Sequence, residues 1–242
     1  PAKAAAVLTE GFAFVKSVPA FRYIAFSSVA TLAVGLIVEF RFYNVSHAVI
    51  ADPELYESFF SVYRFGFVLL SLLVETLAAR RILAKLGSKN AFLILPLMAV
   101  AGSLAVGLAP GLLPVALLGL VVIRLPQNTV DELARKQFQG LVPEERRGRV
   151  SLLMDGYLYA SGDILGCVAC GIGVLLATAF SHPSFASASL ALGVLLSIGA
   201  VAAGIALRRS WDVSLLNWRL QRRRRGGDLL NRLLDDPGAT TS

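Results

Sequence analysis

Long apolar runs separated by short polar breaks set the pattern of this chain. Six runs stand out: Tyr23 to Tyr43, Phe59 to Ala79, Ala91 to Leu108, Leu113 to Val130, Val150 to Phe180 and Phe185 to Leu207. A helix needs roughly 20 apolar residues to cross a hydrocarbon core of about 30 Å. The pattern therefore predicts an all-α integral membrane protein, a bundle of six spanning helices. The fifth run is over-long, so its first turns should project from the bilayer or tilt. The breaks are a polar turn from His47 to Glu57, a basic loop from Ala79 to Asn90 and a tight turn at Ala109-Pro110-Gly111. A charged loop from Asp131 to Arg149 and a turn at Ser181-His182-Pro183-Ser184 complete them. This divides the chain into a cytoplasmic arm or linker (1–21), the bundle (22–207) and a basic cytoplasmic tail (208–242).

Composition strengthens the membrane reading. Apolar residues make up 56% of 242 and charged residues 16%, with a mean hydropathy of +0.68. A soluble domain is about a quarter charged, so lipid must be the solvent for much of this surface. The net charge of +7 does not point to nucleic acid, because no basic face is interleaved with aromatics on a soluble module. The lipid bilayer is the expected partner. Lys and Arg cluster after the second run (Arg80, Arg81, Lys85, Lys89) and after the fourth (Arg135, Lys136, Arg146, Arg147, Arg149). They are missing from the breaks after the first, third and fifth runs. The positive-inside rule then places both termini and both basic loops in the cytoplasm. No charged stretch precedes a cleavable apolar segment, and Pro1 reads as the start of a segment of something longer.

Charges inside the runs are the candidate chemistry: Glu39, Arg41, Arg64, Glu75, Arg124, Asp155 and Asp163. Each costs about 2.5–3.5 kcal/mol on insertion scales and calls for a partner or a wet cavity. Glu57, Arg64 and Glu75 share one helix face, which is expected to look into the bundle. Arg64 and Arg124 lie deepest, and the planar guanidinium fork suits phosphate or carboxylate. Glu39 and Arg41 point to different faces, so at most one can enter a given cavity. The plainer reading is pairing between helices, or snorkelling to the interface; for Glu75, near a helix end, it is the preferred one. Asp155, Gly162, Gly166 and Gly173 fall on one stripe. Gly162 and Gly166 form a small-xxx-small pair that lets two helix backbones approach.

Other motifs carry little. Cys167-Val168-Ala169-Cys170 sits mid-run, away from a helix N-terminus that activates a thiol, and reads as packing. No second pair completes a zinc site. Gly171-Ile172-Gly173 follows no strand, and His47 and His182 stand alone. No nucleophile–base or paired-carboxylate arrangement occurs, so no enzyme and no cofactor or metal is expected. In the tail, Trp211, Leu215 and Trp218 share one helical face ahead of Arg222–Arg225. That pattern fits either an amphipathic helix on the anionic leaflet or a plain stop-transfer flank.

Six helices with both ends inside, and the stretch from Leu77 to Gly87 between the second and third, resemble one half of a major facilitator transporter. The family's usual Asp is missing from that stretch. Three further stretches resemble the C-terminal half of bacterial ATP/ADP translocase-like (nucleotide transporter-like) proteins. They are Glu39-Phe40-Arg41-Phe42 with Asp52 to Phe60, the loop Gln137 to Arg149, and Asp155-Gly156 with the glycine-rich helix after it. Together they span nearly the whole chain. The resemblance implies an inner-membrane carrier of an organic anion such as ATP or ADP, completed by a missing N-terminal six-helix half. An attached C-terminal cytoplasmic domain is compatible with the tail. It implies substrate-binding roles for Glu39 and for a basic residue of the later loop, Arg147 or Arg149, although the spacing to Asp155 is two residues longer than in typical exchangers. The expected substrate-binding set is Glu39, Arg41, Arg64, Arg124, Arg149 and Asp155. Two rivals stay open: a non-transporting membrane anchor or sensor for a cytoplasmic domain, and a self-sufficient six-helix channel or carrier acting as a dimer.

Overall fold

The computed structural model describes residues 19–140, 144–180 and 188–210, with side chains throughout except at 88–89 and 144–146. The described residues are all-helical. Helix α1 is Pro19–Val49. Helix α2 runs Pro53–Val74, passes through a π-helical turn at Glu75–Ala79 and continues as Arg80–Leu86. A single turn, Ser88–Ala91, leads to α3, Ile94–Leu108. Helix α4 is Leu113–Pro126, a π-helical turn at Gln127–Asp131, then Glu132–Gln139. Helix α5 is Glu144–Ser151, a π-helical turn at Leu152–Tyr157, then Leu158–Ala179. Helix α6 is Ala188–Ser210.

Four of the six, α1, α4, α5 and α6, are long and apolar enough to cross a membrane. Helix α3 is apolar but only 15 residues long, about 22 Å at the helical rise. Helix α2 carries Glu54, Glu57, Arg64 and Glu75 along its length. The apolar belt supports a lipid environment: Phe65, Val62 and Leu175 are 73%, 72% and 68% exposed. Aliphatic and aromatic surface on this scale has no place in water.

Local chemistry explains the ends. Asp52 caps α2, its carboxylate accepting the Glu54 amide at 3.0 Å, with Pro53 preset for the first turn. The polar turn expected from His47 to Glu57 therefore shrinks to Ile50, Ala51 and Asp52. Gly87 ends the inner extension of α2 with φ +72°, a conformation that favours glycine.

Two expected loops are helix instead. The basic stretch after Ala79 stays helical to Leu86. The charged stretch from Asp131 to Arg149 is helical on both sides of residues 141–143. Its charges stabilise the helix through i,i+4 pairs, Asp131 with Arg135 and Glu132 with Lys136. The π-turn in α4 follows Pro126, which lacks an amide and crowds the carbonyl a turn earlier, so the ladder widens there. The arm before 19, the turn at 181–184, and the tail pattern from Trp211 onward lie outside the described residues.

Helix α1 is the axis of the bundle. Gly162 and Gly166 of α5 let α1 come close: a Cβ at Gly162 would stand 2.6 Å from Leu32 Cβ and 3.0 Å from the Val29 carbonyl. The small-xxx-small expectation is met. A second such crossing, between α3 and α4, has Gly102 facing the Gly119 carbonyl at 2.8 Å, also measured from a built Cβ. One core cluster gathers Phe21, Phe92, Phe138, Met154 and Leu207; the other holds Val34, Ile37, Phe42, Leu120 and Ile123.

Candidate functional site

Helices α1 and α4 bring Glu39 and Arg124 together. Arg124 Nη2 donates to Glu39 Oε2, and Nη1 donates to Gln127 Oε1 at 3.2 Å. Tyr43 donates its hydroxyl to the other Glu39 oxygen at 2.9 Å. Gly35, one turn before Glu39, lies against the guanidinium: a Cβ there would stand 3.5 Å from Arg124 Cζ and Nη1. Part of each charged side chain stays accessible, 19% for Arg124 and 27% for Glu39.

The pair sits deep. Glu39 lies ten residues before the end of α1 and Arg124 eleven after the start of α4, or about 15 and 16 Å along each helix. Arg64, eleven residues into α2, reaches the same level. It is exposed, and it lies within electrostatic range of the Tyr43 and Tyr63 hydroxyls. Phe42 packs on Tyr63 and Phe60 with ring centroids at 5.3 and 5.6 Å, and Tyr43 meets Phe60 at 5.5 Å. These rings seal α1 against α2 beside the pair.

The charged face of α2 does not look into this bundle, contrary to expectation. Its half-buried stripe is Tyr56, Phe59, Phe60, Tyr63 and Phe67, while Glu57, Arg64 and Glu75 are exposed. The aromatic stripe contributes more packing surface, and it holds the face that meets α1. Glu75 lies within electrostatic range of Lys136, which fits a structural role near the helix end.

Arg41 turns away from Glu39, as two-residue spacing requires. Its Nε donates to the Pro110 carbonyl at 3.2 Å, in the turn between α3 and α4. Arg149 is exposed near the start of α5 and remote from the pair. Cys170 is buried, as a packing residue should be, but Cys167 is exposed.

Asp155 belongs to a second polar cluster at the other end of α4 and α5. Arg135 is its hub, 3% exposed. Its Nε donates to Asp131 Oδ2 at 3.0 Å and its Nη1 to Asp155 Oδ1 at 3.2 Å; its Nη2 donates to the Tyr159 hydroxyl. The guanidinium also lies 4.6 Å from the Tyr159 ring centroid. Gln139 Nε2 reaches both Asp155 oxygens, at 3.0 and 2.9 Å, and Ser151 donates to Oδ2 at 2.9 Å. Asp155 is exposed and does not continue the Gly162–Gly166 packing face, because the π-turn between them changes the helix phase.

Sequence reasoning missed Arg135, Asp131 and Gln139, which it placed in a loop. The available signal was the Asp131/Arg135 spacing of four. Among the described residues no group of His, Cys, Asp and Glu is arranged to hold a metal ion. Comparison with known proteins gives no match to this chain among family models, curated proteins or solved structures.

Proposed function

We propose that this helical membrane protein is one six-helix half of a major facilitator-type carrier for an organic anion, with nucleotides the first substrates to test. The observation that carries the reading is the charge balance at mid-depth. Arg124 pairs with Glu39, while Arg64, at the same level but exposed on the charged face of α2, adds a further guanidinium at that depth. An uncompensated guanidinium inside a bilayer is costly unless an anion or a second protein unit meets it. Substrate sites of such carriers lie near the midplane between repeats. Both termini and the basic segments are assigned to the cytoplasm by the Lys and Arg distribution.

Membranes holding the complete natural protein should exchange labelled ATP, ADP or a related organic anion. Arg64→Gln and Arg124→Gln should abolish that exchange while leaving the protein folded. The anchor or sensor reading is favoured by the Glu39–Arg124 pair being satisfied within this chain. On that reading the same substitutions lower thermal stability in detergent, and no anion is exchanged.

A further inference from the structure

We propose that the cytoplasmic ends of α1 and α6 form a site for an anionic phospholipid. Arg22 and Arg209 take its phosphate, and the apolar surface below them takes an acyl chain. The inference does not rest on the carrier reading. It needs only the membrane setting and the orientation assigned from the Lys and Arg distribution.

The basic residues at this end of the bundle are not all alike. Arg135 and Lys136 are answered by Asp131, Asp155 and Glu132. Arg22, Arg208 and Arg209 are exposed, and among the described residues no carboxylate pairs with them. The sequence gives the reason: α1 has no Asp or Glu before Glu39, and α3 and α6 have none at all. From Arg208 to Gly227 there are seven arginines against one aspartate, so the residues that follow add positive charge and do not offset it.

The packing of α1 on α6 sets these arginines over a lipid-facing surface. The two helices run antiparallel. Phe21 and Leu207 share one core cluster, and Phe26 lies 3.6 Å from a Cβ built at Gly199. On α6, Ile198, Ala202, Ile205 and Arg209 recur at helical spacing, an exposed stripe that ends on a guanidinium. On α1, Phe26 is exposed beside that stripe, and Arg22 stands one turn nearer the cytoplasm.

Measured from the Phe26–Gly199 contact, Arg22 lies about 6 Å and Arg209 about 15 Å toward the cytoplasm. Side-chain direction narrows the difference, because each Cα–Cβ bond tilts toward the N-terminus of its helix. Arg22 is tilted toward the cytoplasm, and Arg209, on the antiparallel helix, back toward the bilayer. Both long stems can then lie on apolar surface with their charged heads at the level of lipid phosphates. Free phosphate would satisfy the guanidiniums and leave the stripe below bare. One phospholipid matches both. A zwitterionic lipid brings its own cation to a place that already holds two, so the complementary headgroup is anionic.

The test places the full-length protein in nanodiscs of phosphatidylcholine with a minority of phosphatidylglycerol. Trace phosphatidylglycerol or phosphatidylcholine carries a photoreactive group in its acyl chain, and mass spectrometry of peptides maps the labelled positions. The phosphatidylglycerol probe should label the stretches around Phe26 and Ile198 more than the exposed stretch around Leu77 of α2, and the phosphatidylcholine probe should show no such preference. Arg22→Gln and Arg209→Gln should each lower the phosphatidylglycerol labelling about fivefold. Arg81→Gln, which removes a charge from the same end of the bundle on α2, should leave it unchanged. The comparison of the two probes uses the unaltered protein, so it stands even where a variant fails to fold. Equal labelling by both probes around Phe26 and Ile198 overturns the site. So does phosphatidylglycerol labelling that is as strong at Leu77, or that falls equally in Arg81→Gln, since either result reduces it to a general attraction of the basic end.

Discussion

A single buried guanidinium, that of Arg135, ties α4 to α5. Arg135 sits between Asp131 and Asp155, lies over Tyr159 and is almost wholly buried. Removing one partner of a buried pair leaves an uncompensated charge, at a cost of about 3–5 kcal/mol. Arg135→Gln should therefore lower the unfolding midpoint of the purified protein sharply, read by thermal or denaturant titration in detergent. Lys136→Gln, next to it but on the surface, breaks only the exposed pair with Glu132 and should cost under about 1 kcal/mol. Equal losses in the two variants would refute this assignment. The contrast also shows what was legible. Depth along an apolar run identified Glu39 and Arg124 without a structure, because an ion in a span must be answered by something. Arg135 was invisible to the same logic, since a hydropathy window averages a charged helix into a loop.

At the scale of helices, glycines decide which pairs can touch. Gly162 and Gly166 meet the backbone of α1, and a methyl group at Gly162 has no room beside Leu32. Gly162→Val should drive α1 and α5 apart, destabilising by about 1–3 kcal/mol as overpacking does. Gly171→Ala, with nothing within 4 Å of the added carbon, should stay within about 1 kcal/mol of wild type. The same unfolding measurement separates them, and equal effects would argue against the close crossing. Spacing alone revealed that α5 offers a close-packing face, but not that α1 is the helix that meets it. The Gly102–Gly119 crossing went unread because its glycines lie on different helices, with no repeat to mark them. Helix α2 was misjudged for a related reason: its charged and aromatic stripes are adjacent, and only the neighbouring helix decides which one turns inward.

For the molecule as a whole, the Lys and Arg distribution predicts which end faces which compartment. Single cysteines placed at Lys85 and at Gly111, in a background lacking Cys167 and Cys170, should label from opposite sides of sealed vesicles. The Lys85 position should be reached from the cytoplasmic side, and the reverse pattern would invert the topology. Six helices were foreseeable from hydropathy, but not how far α2, α4 and α5 extend beyond their apolar runs, because the extensions mix buried apolar residues such as Leu83, Phe138 and Val150 with charged ones, and a hydropathy window averages the two. The π-turns at Glu75–Ala79, Gln127–Asp131 and Leu152–Tyr157 give that division a geometric meaning. Each packs more residues into a turn than an α-helix does, so each rotates the helix that follows relative to the helix before it. Two surfaces with different angular registers are thereby carried on one continuous rod. The lipid-facing register and the aqueous one can vary in sequence separately, as though three gears had been cut with offset teeth on common shafts.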